Sequence, residues 1–165
     1  MKGLRYLLPM LVCLCFATTS WASVHRLGGG INYWTTIDSL DEGFDRNGVS
    51  YLVSYQYRPW VVGLEFDLEL LPDRFGETAI APQAYVLLGD GLYAAAGIGL
   101  VHTDGSFADK PFFALRAGIN LNLLPGLFVD ISANYRFNDT TELKDQDKKI
   151  DTDTIFLGAA LRFAL

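Results

Sequence analysis

The stretch LFVDISANYRFN, Leu127–Asn138, decides the fold. Leu127, Val129, Ile131, Ala133, Tyr135 and Phe137 share one parity, and Phe128, Asp130, Ser132, Asn134, Arg136 and Asn138 the other. A period of two sustained this long is a β-strand with one apolar and one polar face, because successive side chains of an extended chain point to opposite sides. Directly upstream, Phe113, Leu115, Ala117, Ile119, Leu121 and Leu123 alternate with Ala114, Arg116, Gly118, Asn120 and Asn122. Leu124-Pro125-Gly126 between the two segments is a tight turn.

The same alternation appears twice more. Trp60, Val62, Leu64, Phe66, Leu68 and Leu70 oppose Gly63, Glu65, Asp67 and Glu69, after a turn at Arg58-Pro59. Ile155, Leu157, Ala159, Leu161, Phe163 and Leu165 oppose Phe156, Gly158, Ala160, Arg162 and Ala164. Weaker strands are read at Leu27–Thr36, Val49–Tyr57, Ala79–Leu88 and Leu92–Val101; the third of these alternates poorly and contains Pro82, which leaves its register open. Short connections fall at Pro59, Asp90 and Pro125. Long, acidic ones fall at Asp38–Gly48, Pro72–Thr78, Thr103–Lys110 and Asn138–Asp153, and the last is expected to be an unpaired, solvent-exposed loop.

Eight strands of about 9 to 11 residues, with short turns on one side and long polar loops on the other, describe an antiparallel up-and-down transmembrane β-barrel. Lipid offers the backbone no hydrogen bonds, so a spanning sheet must close on itself. Charges then select the outward face. Glu65, Asp67, Glu69, Arg116, Asp130, Arg136 and Arg162 all lie on the polar parity, and are expected to share the lumen as an ion-paired plug. Turning that face to lipid would cost on the order of 10–20 kcal/mol. On this parity Leu64→Arg should be far more damaging than Glu65→Gln. Outward aromatics should form two interfacial girdles: Tyr51, Phe113, Tyr135 and Phe137 near the loop ends, and Tyr57, Trp60 and Phe163 near the turn ends. A soluble lipocalin-like barrel, the architectural rival, would have an apolar interior.

The N-terminus reads as an export signal. Lys2 and Arg5 precede the apolar run Tyr6–Ala17, and Ser20-Trp21-Ala22 presents small residues where a signal peptidase reads them. The expected division is a signal peptide at 1–22 and a barrel domain at 23–165. Twelve apolar residues are too few for a spanning helix, which needs about 20. Cys13 and Cys15 each follow a large residue, unlike a lipoprotein cysteine, and both leave with the peptide. What remains has no thiol for a disulfide or a metal, and its 11 basic and 19 acidic residues give a net charge of −8. No basic stripe exists for nucleic acid.

Several segments resemble a known family. Gly97-Ile98-Gly99, Ala117-Gly118-Ile119-Asn120, Leu124-Pro125-Gly126, Ala133-Asn134-Tyr135-Arg136-Phe137 and Gly158-Ala159-Ala160-Leu161-Arg162-Phe163 are similar to the small eight-stranded outer-membrane barrels of OmpA-type and OmpX-type. The resemblance implies a Gram-negative-type cell outer membrane and contact with its lipids. It also implies periplasmic chaperones and the barrel assembly machinery as partners in biogenesis. The assembly signal would be carried by Gly158, Leu161, Phe163 and Leu165, with Leu165 where the family usually ends in an aromatic residue.

Little else suggests chemistry. His102, Asp104 and Ser106 are the residue types of a nucleophilic triad, but three of them within one strand end and loop read better as a solvated loop. Asp145, Asp147, Asp151 and Asp153 lack the central Gly and final Glu of a calcium loop, and Lys144, Lys148 and Lys149 interrupt them. No catalytic, cofactor or metal residues are therefore expected. The reading is a barrel protein with a filled, charged lumen, acting structurally or through its acidic outer loops. A narrow channel of the OmpW type and a lipid A-modifying enzyme are the alternatives.

Overall fold

The structure is a computed structural model and describes residues 24–37, 46–74, 77–103, 106–143 and 148–165. The signal peptide expected at 1–22 lies outside these residues. Eight long strands form the wall: β1 (His25–Thr36), β2 (Asn47–Tyr57), β3 (Val62–Arg74), β4 (Glu77–Gly89), β5 (Leu92–Gly99), β8 (Phe112–Leu124), β9 (Leu127–Leu143) and β10 (Lys148–Ala164). A short hairpin, β6 (His102–Thr103) and β7 (Ser106–Phe107), continues the wall above β5, where β6 pairs with β4. Every pairing is antiparallel and each long strand joins its sequence neighbour. Closure comes from β1 against β10, where Gly28 stands opposite Arg162 and, on its other edge, opposite Ser54.

The closing seam explains the glycine run at Gly28–Gly30. A Cβ on Gly28 would lie 2.1 Å from the Leu161 carbonyl oxygen and 2.8 Å from the Arg162 Cα, both backbone atoms that cannot swing aside. Gly28→Ala should therefore cost about 1–3 kcal/mol through backbone displacement. Gly29→Ala, whose Cβ would find its nearest neighbour at 3.2 Å, should cost much less. Urea unfolding midpoints in phosphatidylcholine vesicles would compare the two, and equal losses would show that the seam is not tight.

The short connections, Arg58–Val61, Asp90–Gly91 and Pro125–Gly126, gather at the end that also holds the start of β1 and Leu165. There the Arg58 N–H donates to the Val24 carbonyl at 2.7 Å, the Ala164 N–H to Gly126 at 2.8 Å and the Leu165 N–H to His25 at 2.9 Å. Gly89 and Gly126 supply the left-handed backbone these turns need, with φ of 111° and 82°. Trp60, read from sequence as the first residue of a strand, instead sits in the turn. Pro59 has no N–H and a fixed φ, which delays the ladder to Val62.

Two segments read as loops are largely strand. β3 runs to Arg74 and β4 begins at Glu77, in place of a loop over Pro72–Thr78. β9 and β10 stay paired from Asp139↔Thr152 to Leu143↔Lys148, in place of an unpaired loop over Asn138–Asp153. Their outer neighbours stop earlier, at Phe113↔Phe137 and Thr36↔Thr154, so this part is a two-stranded ribbon rising above the barrel. Five paired positions at about 3.4 Å each give it a reach of roughly 17 Å. Outside lipid a ladder needs a partner strand, not an apolar face, and threonines at 140, 141 and 152 favour it.

Pro82 settles the register left open by the sequence. It faces outward opposite Leu68, and its carbonyl accepts from the Leu100 N–H at 3.1 Å. A strand residue's N–H and C=O point to the same neighbour, so the donor that proline lacks would have faced β5. There the ladder lapses, between Gln83↔Gly99 and Ile80↔His102.

Candidate functional site

Outward positions form an apolar belt: Ile31, Tyr33, Val53, Leu64, Phe66, Leu68, Val86, Leu115, Ile131, Leu157 and Leu161 are all exposed. The inward side carries the chain's buried charge. This is a water-soluble barrel turned inside out.

The middle of the lumen is organised by Glu65, which is fully buried. One of its oxygens meets Arg116 Nη1 from β8 at 2.6 Å and Arg162 Nη2 from β10 at 3.0 Å; the other accepts from Gln56 Nε2 of β2. Arg116 also reaches Asp67 at 2.8 Å, and Arg162 reaches Asp130 at 3.1 Å and Ser54 at 3.0 Å. The Tyr93 hydroxyl donates to Asp130 at 3.0 Å. Four strands are thus tied through one carboxylate, β3 included.

One layer outward, Glu69 pairs with Arg136 of β9 and accepts from Asn32, Ser50 and Gln83. The Arg136 guanidinium also lies between the rings of Phe156 and Phe112, at 3.8 and 4.7 Å, while Arg116 lies over Tyr85 at 3.9 Å. Above this the filling turns apolar, with Trp34, Leu71, Ala79, Val101, Ala108, Phe112 and Phe156 buried together. The space left among Asn32, Arg116, Asp130, Asn134 and Arg162 is about 10 Å³, room for a single water molecule at most. Eight strands enclose little more than side chains, and here side chains fill the enclosure.

The seven inward charges expected from parity are all buried, and the contacts bring them into two connected groups, Glu65 with Asp67, Arg116, Asp130 and Arg162, and Glu69 with Arg136. Three buried arginines were not anticipated: Arg26, Arg58 and Arg74. Arg26 precedes the point where alternation becomes visible, and Arg58 stands in a turn. Arg74 follows a register shift after Leu71 that changes which parity points inward, so no periodicity could find it. Its guanidinium donates to Thr154 Oγ1 at 3.3 Å and stacks over Trp34.

Of the aromatics singled out, Phe113, Tyr135 and Phe137 lie toward the loop end, where the last two meet edge-on at 4.5 Å. Tyr51 pairs with Ile31 and Leu70 in the wall. Tyr57, Trp60 and Phe163 lie at the turn end and are exposed. On β10, Leu161 and Phe163 point outward and Leu165, just past its end, is exposed, whereas Gly158 faces inward against Asn32. The His102 ring meets Phe107 at a tilt of 44°, with centroids 4.5 Å apart, and its Nδ1 is buried without a hydrogen-bond partner; Asp104 lies outside the described residues. Ser106 pairs with Thr103 in the small hairpin. Among the described residues no three metal-binding side chains cluster, while Asp145 and Asp147 lie outside them.

A closed antiparallel barrel with an apolar outside and a charged, filled inside is a membrane-spanning barrel of the outer-membrane type. Two solved structures share the fold. Neisserial surface protein A aligns with 87% of this chain and 99% of its own, at 17% identity and a TM-score of 0.66. OprG of Pseudomonas aeruginosa aligns with 88% of this chain and 99% of its own, at 12% identity and a TM-score of 0.50. No protein-family model matches the sequence. No curated protein matches it either.

Proposed function

We propose that this chain is a resident of the outer membrane whose barrel is closed to solutes and whose outward-facing ribbon and loops make its contacts. The filled lumen carries the reading: ion pairs occupy its middle and an apolar cluster its loop end. The short turns, the start of β1 and Leu165 lie at the periplasmic end, and the ribbon of β9 and β10 projects on the cell-surface side, as in barrels of this kind. It bears Asp139, Glu142, Lys148, Lys149 and Asp151. Aromatics toward both ends serve as the interfacial girdles, and the exposed face of β10 with Leu161, Phe163 and Leu165 serves as the signal for barrel assembly.

Purified full-length protein in a planar lipid bilayer should leave conductance at the level of the bare membrane. Steady, reproducible channel steps would overturn the closed-barrel reading and favour a conduit. An epitope inserted between Leu143 and Lys148 should be detected on intact cells; detection only after permeabilisation would reverse the orientation.

A further inference from the structure

The periplasmic end of the lumen holds charge that the ion-pair network does not use. Among the described residues six arginines and four carboxylates are buried, and Arg26 and Arg58 lie together at this end. Arg116, Arg136 and Arg162 each meet a carboxylate. For Arg26 and Arg58, 1% and 4% exposed, no carboxylate of the described residues comes within ion-pair distance. Asp90, on the neighbouring turn, is exposed to solvent at the mouth.

The two guanidinium groups converge on one neutral atom. With its amide turned carbonyl-inward, Asn120 accepts from Arg26 Nη1 at 2.9 Å and from Arg58 Nη1 at 3.1 Å. Both Nε–H groups are buried without a partner. Arg58 Nη2 donates to the Gly89 carbonyl at 2.7 Å, and the remaining support is aromatic: Phe128 under Arg26 at 3.8 Å and Tyr93 under Arg58 at 5.2 Å. Two buried cations around a neutral oxygen repel each other and forfeit hydration, and Asp90 and Asp130 offset this from beyond ion-pair distance, so a negative charge in direct contact would be favoured.

We propose that Arg26, Arg58 and Asn120 form a binding site for a small inorganic anion taken from the periplasmic side. Planar guanidinium forks present several donors at once to such an ion. Rotation of the Asn120 amide adds its NH₂ as a further donor. The bound anion would reinforce the link that Asn120 makes between the start of β1, the turn before β3 and the turn-end half of β8.

The test uses the full chain, folded in phosphatidylcholine vesicles, with sodium gluconate holding ionic strength constant. The urea midpoint of the wild type should rise saturably with sodium chloride or sodium phosphate, and the anion with the lower half-saturation is the occupant. Asn120→Asp builds the missing negative charge into the site. That variant should stand at or above the saturated wild-type midpoint and no longer respond to either anion. A wild-type midpoint indifferent to both anions would overturn the proposal, as would an undiminished response in Asn120→Asp. Heat-modifiable mobility in SDS gels confirms that each variant is folded before its midpoint is read.

Discussion

Replacing Glu65 with alanine is expected to lower the free energy of unfolding by about 3–5 kcal/mol. The side chain is fully buried and holds Arg116 at 2.6 Å and Arg162 at 3.0 Å, so its loss takes one carboxylate from each of two buried guanidinium groups. Asp67 and Asp130 would each still hold one of them, which sets the upper end of the range. Parity alone makes Glu65→Gln a mild change; the contacts do not. Glutamine keeps the volume but removes the charge that both arginines share, so a loss of about 1.5–3 kcal/mol is expected. Reversible urea unfolding from vesicles measures both. If Glu65→Ala cost no more than truncating an outward leucine, the ion pairs would be contributing nothing.

That difference between parity and contact marks where the sequence stops being informative. Strands β3, β8, β9 and β10 were legible because each has one wholly apolar face and one face carrying charge, and a membrane barrel makes those faces mean lipid and lumen. Strand β4 was obscure for a physical reason. Ala79, Ala81 and Leu87 point inward while Ile80, Val86 and Leu88 point outward, so both faces are largely apolar, with Gln83 the one inward amide. The inward ones belong to the apolar filling of the lumen.

The identity of the charged set followed from counting residues along each strand, but the pairing of Glu65 with Arg162 and of Glu69 with Arg136 did not. Partners across the lumen depend on how far each strand is staggered against its neighbours. The ladder of Asp139–Leu143 with Lys148–Thr152 was hidden too, because these segments do not alternate between apolar and polar residues. Arg26, Arg58 and Arg74 were missed at strand starts, turns and bulges, the places where a period of two begins, ends or slips.

The second large effect tests the outer face by depth. Val62, Leu64, Phe66, Leu68 and Leu70 all point outward along β3, from the short-turn end toward the opposite end of the barrel. Arginine at Phe66 or Leu68, near the middle of the belt, should cost about 2–4 kcal/mol, falling to about 0–1 kcal/mol near either interface. Leu64→Arg should fall between, because its guanidinium can reach toward the headgroups beyond Val62. A water-soluble barrel would give a flat series, since a surface arginine in water costs almost nothing at any height. The depth profile therefore discriminates where a single substitution does not: one damaging arginine could reflect lost packing, but a cost that peaks at Phe66–Leu68 and declines toward both ends has the shape of a hydrocarbon layer. Unfolding free energies of the five variants in vesicles of one lipid would trace it. Repeating Leu64→Arg in a lipid with shorter tails should lower its cost, because thinning the layer brings that height nearer the headgroups. A series without a maximum, or one insensitive to lipid thickness, would mean that this face does not meet lipid.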